Sequence, residues 1–95
     1  MKSLYALVGM RHRGTEALVA SLPQGEPLTL IREPDNKFDP NAVQVWARGQ
    51  HVGFIAAKQV KPLAMAMDAA TLRAPQWRAT LAIDGGRWPL VEVSE

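Results

Sequence analysis

Residues 32 to 43 read Arg32-Glu33-Pro34-Asp35-Asn36-Lys37-Phe38-Asp39-Pro40-Asn41-Ala42-Val43, and this stretch holds the densest group of chemically capable side chains in the chain. Turn chemistry accounts for Pro34, Pro40, Asn36 and Asn41: proline cannot donate a ladder bond, and Asx side chains cap their own backbone. It does not account for Phe38. A large aromatic in a polar loop either folds back to anchor on the core or turns its face to a planar ligand, and on position alone both readings stand. Asp39, directly before Pro40, suits a turn that bonds its own backbone, and that role leaves it able to accept from a ligand as well. A second group, Arg11-His12-Arg13, reads either as a solvated turn or as a local cationic site for phosphate.

Rival chemistry has less to work with. A metal-dependent nuclease would use Asp35, Asp39 and His51, but two-metal chemistry needs several carboxylates converging on ions about 4 Å apart. The nine acidic residues are scattered, and the two aspartates of the loop sit beside prolines with no third acid between them. There is no cysteine, which removes disulfides, thiolate zinc sites and thiol nucleophiles together. The expectation is a protein that is not an enzyme and needs no cofactor and no metal.

The elements that must position these groups are short. An apolar strand, Leu4-Tyr5-Ala6-Leu7-Val8-Gly9, leads into a bend at Arg11–Gly14, and Thr15 caps a helical turn whose apolar face is Ala17, Leu18 and Leu22. Leu28–Arg32 and Ala42–Trp46 are the strands on either side of the polar loop. Arg48-Gly49-Gln50 is a hairpin turn into a fourth strand, His51–Ile55. Val60, Leu63, Ala64 and Met67 then recur at helical spacing; Pro62 suits only a first turn, so the regular helix is placed from near Lys61 to near Ala69. Trp77–Ile83, a turn at Asp84-Gly85-Gly86, and Pro89–Val93 make the final hairpin. His51 reads as a surface residue, Trp46, Trp77 and Trp88 as core or rim bulk with Trp88 the most exposed, and Met65 and Met67 as helix packing.

Strand turnover about every ten residues makes the expected fold class mainly β with one principal helix: a small six-stranded, partly closed OB-like or SH3-like barrel capped by a helix. Ninety-five residues make a single domain, residues 1–95, with a core too thin to enclose a large active site. A shallow surface site is the expectation. Eleven Lys and Arg against nine acids leave a net charge of only +2, which cannot coat a long duplex, so any nucleic-acid site is local. Arg11, His12 and Arg13 interrupt the first apolar run long before a membrane span is reached. No membrane association is expected, and a cytoplasmic monomer is.

Three blocks carry a family resemblance: Val8-Gly9-Met10-Arg11; the loop and strand Arg32 to Val45; and Val52-Gly53-Phe54-Ile55 with the helix after it. Together they resemble the HIRAN domain, found at the N-terminus of helicase-like fork remodellers and as stand-alone bacterial chains. The resemblance covers nearly the whole chain. It implies a modified OB-like barrel that binds single-stranded DNA and, in helicase-linked members, captures a free 3′ end at stalled or damaged replication intermediates. Carried over residue by residue, Arg11 sits on a phosphate and His12 takes a position that is aromatic in those members. Phe38 stacks on a base, Asp39 accepts from the terminal 3′-hydroxyl, and Asn36 contacts base or backbone beside it. Lys37 adds charge, and Phe54 and Lys58 complete the surface, with Ala56-Ala57 standing where helicase-linked members carry basic residues. An ionised aspartate repels phosphate and accepts from a hydroxyl, so beside a cationic, aromatic surface it distinguishes a free end from a continuing chain. The alternative the resemblance leaves is a protein-interaction domain serving helicase or repair proteins through a barrel edge or the helix face.

Overall fold

A computed structural model describes residues 2–70, 78–84 and 88–94. In chain order its elements are β1 (Lys2–Val8), α1 (Met10–Arg13), α2 (Glu16–Ser21), β2 (Pro27–Arg32), β3 (Val43–Ala47), β4 (Gln50–Ile55), α3 (Ala57–Ala70), β5 (Arg78–Asp84) and β6 (Trp88–Ser94). The strand pattern is plainest in β3, where Val43, Val45 and Ala47 are buried and Gln44 and Trp46 face the other way. That is the two-residue period of a pleated strand with one face on a core.

The six strands close in the order β1-β4-β3-β2-β5-β6, every neighbouring pair antiparallel. The barrel is therefore closed, where the sequence led us to expect partial closure. β1 makes the seal: Lys2 to Ala6 pair with β6, and Leu7 and Val8 pair with β4. One strand serving two neighbours along its length, β6 first and then β4, completes the ring of strands.

Val43, Val45, Val52, Leu81 and Val91 fill the barrel, and Val60, Leu63 and Ala64 of α3, Val19 of α2 and Leu22 just after it join the same core. Burial of each of these valine and leucine side chains contributes about 1.5–3 kcal/mol, so the helices are fastened by the same force that closes the barrel.

Several local expectations are corrected. The bend at Arg11–Gly14 is one helical turn, α1, followed by Gly14. In and around α2 the buried positions are Thr15 before the helix, Val19 within it and Leu22 after it, while Ala17 is exposed. The reason is that Thr15 turns inward, its Oγ1 donating to the Val52 carbonyl, and positions four and seven residues on follow it to the same face.

Helix α3 begins at Ala57, not near Lys61, and runs through Pro62. Its first turn is fixed from outside: the backbone N–H of Ala6 donates to Gln59 Oε1 at 2.8 Å. Pro62 is exposed, and having no N–H it offers the Lys58 carbonyl no intrahelical donor. The β3–β4 hairpin turns at Arg48 and Gly49, both with positive φ, 51° and 77°, the twist that suits a two-residue connection. Trp77 and the expected turn at Gly85-Gly86 lie outside the described residues.

Candidate nucleic-acid interface

One irregularity in β4 determines what the outer face presents. Val45 is in register with Gly53 but Trp46 with His51, so β4 spends an extra residue, Val52, between them. A β-bulge of this kind reverses the alternation locally. His51 and Phe54, an odd number of residues apart, thereby stand on the same outer face, and Val52 and Gly53 are both buried.

On that face Ile31, Gln44, Phe54 and Val8 form a row across β2, β3, β4 and β1 by register. Ile31 and Val8 are exposed. The Trp46 and His51 rings are stacked with centroids 5.5 Å apart, and His51 meets Phe54 edge to face at 4.9 Å. Trp46 was expected as core or rim bulk and His51 as a surface residue; both are half-buried members of an outward aromatic cluster. Indole Nε1 of Trp46 donates to Gln44 Oε1 at 2.8 Å, and Gln44 Nε2 donates to Glu33 Oε2 at 3.0 Å.

Burial, and after it the charge of Arg13, lowers the pKa of His51 below its ordinary 6.5; the hydrogen bond to the Gly53 carbonyl and the charge of Glu33 oppose the shift. A carbonyl only accepts, so the 2.9 Å contact to Gly53 O places the ring proton on Nε2.

The cationic side of the site is α1. Gly9 and Gly14 flank it at φ 83° and 68°, left-handed conformations that start and stop a single turn. Arg11, His12 and Arg13 are all exposed. Arg13 is fixed in place because its Nε donates to the backbone oxygen of His51 at 2.9 Å.

The polar loop is held by its own hydrogen bonds. Asn36 Oδ1 accepts from the backbone N–H of Phe38 at 2.8 Å and of Asp39 at 2.9 Å. Asp39 Oδ1 accepts from Asn41 N at 2.9 Å. At the base Arg32 Nη1 and Nη2 donate to the carbonyls of Ala42 and Pro40 at 2.8 and 3.0 Å. The same guanidinium forms a fork with Asp68 of α3 at 2.9 and 3.1 Å. Arg32 is held charged first by its hydrogen bond to Asp68, against the cost of desolvation, with smaller help from the charges of Asp68 and Asp39.

At the tip of this hoop Phe38 is 98% exposed. The anchoring alternative for Phe38 is thereby removed. An outward phenyl forgoes about 1.5–3 kcal/mol of burial. Asn36, expected to touch DNA, spends its side-chain oxygen inside the loop and keeps its amide NH2. Asp39 does act as a turn-former through Oδ1, and the arginine its charge reaches is Arg32.

Sheet order ties the two halves together. α1 leaves the end of β1, the polar loop leaves the end of β2, and the strands between them are β4 and β3, which carry Phe54 and Gln44. With strands about 4.8 Å apart, Phe54 lies between the cationic turn and the aromatic loop. Lys37 is exposed beside Phe38; Lys58 is exposed on the first turn of α3, the helix whose Asp68 holds Arg32.

The sequence reading missed Glu33, Gln44 and the Arg32–Asp68 fork. Gln44 and Trp46 were legible from alternation; the fork joins residues too far apart in the chain for any spacing rule. Among the described residues no three His, Asp or Glu side chains come together in a way that could hold a metal ion, so Asp35, Asp39 and His51 do not assemble the nuclease arrangement. A separate, mainly apolar cleft of about 410 Å³ lies between the N-terminal helical turns and the β5–β6 hairpin, lined by Met10, Val19, Leu81, Ile83, Trp88 and Pro89 with Glu16 also on its wall.

The sequence model of the HIRAN domain matches residues 2–86. The HIRAN domain of human HLTF superposes with a TM-score of 0.72 at 21% identity, covering 97% of this chain and 72% of that one. A protein from Lactobacillus plantarum superposes with a TM-score of 0.68 at 25% identity over 100% of both chains. Among curated proteins the chain has no match.

Proposed function

The chain belongs to the HIRAN domain family, and from that premise we propose that it is a non-catalytic module that binds single-stranded DNA and takes up free 3′-hydroxyl ends. The observation that carries this reading is Phe38, 98% exposed at the tip of a loop fixed by hydrogen bonds. A ring presented that way stacks on a base without reference to sequence. Arg11, Arg13 and Lys37 supply phosphate contacts, and Arg13 is already immobilised against β4. Asp39 keeps one carboxylate oxygen for the terminal hydroxyl while the other holds Asn41.

Titration of labelled oligonucleotides with free and with 3′-phosphorylated ends tests it. Binding should be micromolar, stronger for the free end, with log K falling against log salt at a slope of about −1.5 to −2 for two or three neutralised phosphates. Equal affinity for both ends removes the role of Asp39, and no binding to either removes the module reading. One observation favours a second reading, a protein-interaction domain: Trp88, 69% exposed, lines the apolar cleft away from Phe38.

A further inference from the structure

The hydrogen bonds on the outer face have a direction. An indole N–H only donates, so Gln44 must present its oxygen to Trp46 and its NH2 to Glu33; a carboxylate only accepts. The chain Trp46 to Gln44 to Glu33 therefore ends on an oriented acceptor. Glu33 Oε2 holds one donor, and Oε1 takes none among the described residues. Glu33 is half-buried, and it is tied to Gln44, the register neighbour of Phe54.

Charge is divided across the patch. Arg13 crosses β4 at His51 and uses only Nε there, leaving its terminal NH2 groups without an acceptor among the described residues. The carboxylate is held on β3 by Gln44, whose register neighbour on β4 is Phe54. A phosphate is drawn to Arg13 and kept from Glu33, so a nucleotide entering this face lays its base across Phe54 with an edge toward Glu33.

We infer that the outer face beside Phe54 is a base-reading subsite in which Glu33 is the specificity residue and guanine the favoured base. A carboxylate offers two acceptors side by side. Guanine alone among the DNA bases presents two adjacent donors on one edge, N1–H and the N2 amine. Adenine and cytosine place a ring acceptor beside their amine, and thymine flanks N3–H with two carbonyls; each sets a lone pair against the carboxylate. The inference rests on the single-strand reading and adds to the sequence-tolerant stacking of Phe38 a position at which sequence matters.

The test is affinity for a short oligo-dT carrying one variable base, placed in turn at each position near the 3′ end. At one position guanine should bind about tenfold tighter than thymine, the low end for a bidentate contact because the site is shallow, with hypoxanthine, which keeps N1–H and lacks the amine, between them. Glu33→Gln keeps an acceptor for Gln44 and should abolish the preference while binding plain oligo-dT as well as or better than the parent. Equal affinity for every base at every position overturns the inference and leaves the binding module standing, as does a guanine preference that survives Glu33→Gln. Failure to bind any oligonucleotide takes down both.

Discussion

Asn36 Oδ1 accepts the backbone N–H of Phe38 at 2.8 Å, so the most exposed large apolar side chain described in the molecule is carried on a turn closed by its own neighbour two residues earlier. The ring is presented by design of the backbone and not by packing, since no described residue covers it. Position and stability are thereby separated, and the two can be perturbed independently.

Phe38→Ala should leave the melting temperature unchanged within error, because no core contact is lost, and weaken single-stranded DNA by the value of one stacked base, about 1–3 kcal/mol. Asn36→Ala should retain the ring, free the turn, and lose a smaller part of the affinity. Anisotropy titrations beside thermal melts check both; a Phe38→Ala protein that unfolds would contradict the exposure described above.

Asp68 is held below its ordinary 3.8, first by its hydrogen bond to Arg32. A depressed carboxylate contributes stability that is present above that value and lost as pH falls through the lower folded one. The melting difference between the parent and Asp68→Asn should thus be constant from neutrality down to about pH 5 and close below 3.8. Arg32→Lys, which cannot make the fork or reach both loop carbonyls, should lower DNA affinity at every pH.

His51 titrates below 6.5, chiefly from burial and then from Arg13. The unfolded chain takes up this proton before the folded one does, so stability is complete above 6.5 and declines as pH falls toward the lower folded pKa. Denaturant melts from pH 8 to 5 should show that slope in the parent and a flatter line in His51→Gln. Identical slopes would place the ring outside the cluster of Trp46 and Phe54.

Gly53→Ala should destabilise the barrel by about 2–4 kcal/mol, because the added Cβ runs into the Val8 carbonyl oxygen and closes on Leu7 Cδ1 at 3.0 Å. Backbone there cannot retreat without opening the β1–β4 seam. A neutral change in chemical denaturation would show that the seam is looser than described.

Pro62→Ala should raise stability by about 1–2 kcal/mol, since it restores a donor to the Lys58 carbonyl in mid-helix while the exposed ring gives up no core contact. No gain, or a loss, would mean that proline's restriction of the unfolded chain outweighs the missing bond.

By itself the sequence determined the alternation in β3, the hairpin at Arg48-Gly49, the helical face Val60-Leu63-Ala64 and the turn chemistry of the polar loop, because each is set by neighbours within a few residues. It also carried the family through the loop block from Arg32 to Val45. It misplaced the start of α3, since the Gln59 contact that anchors the first turn comes from β1, far away in the chain. Only the tertiary structure decided that Phe38 points outward, that Arg32 reaches Asp68, and that His51 and Phe54 share a face. The last follows from one extra residue in β4: a bulge is a property of how two strands pair, and alternation within one strand cannot announce it.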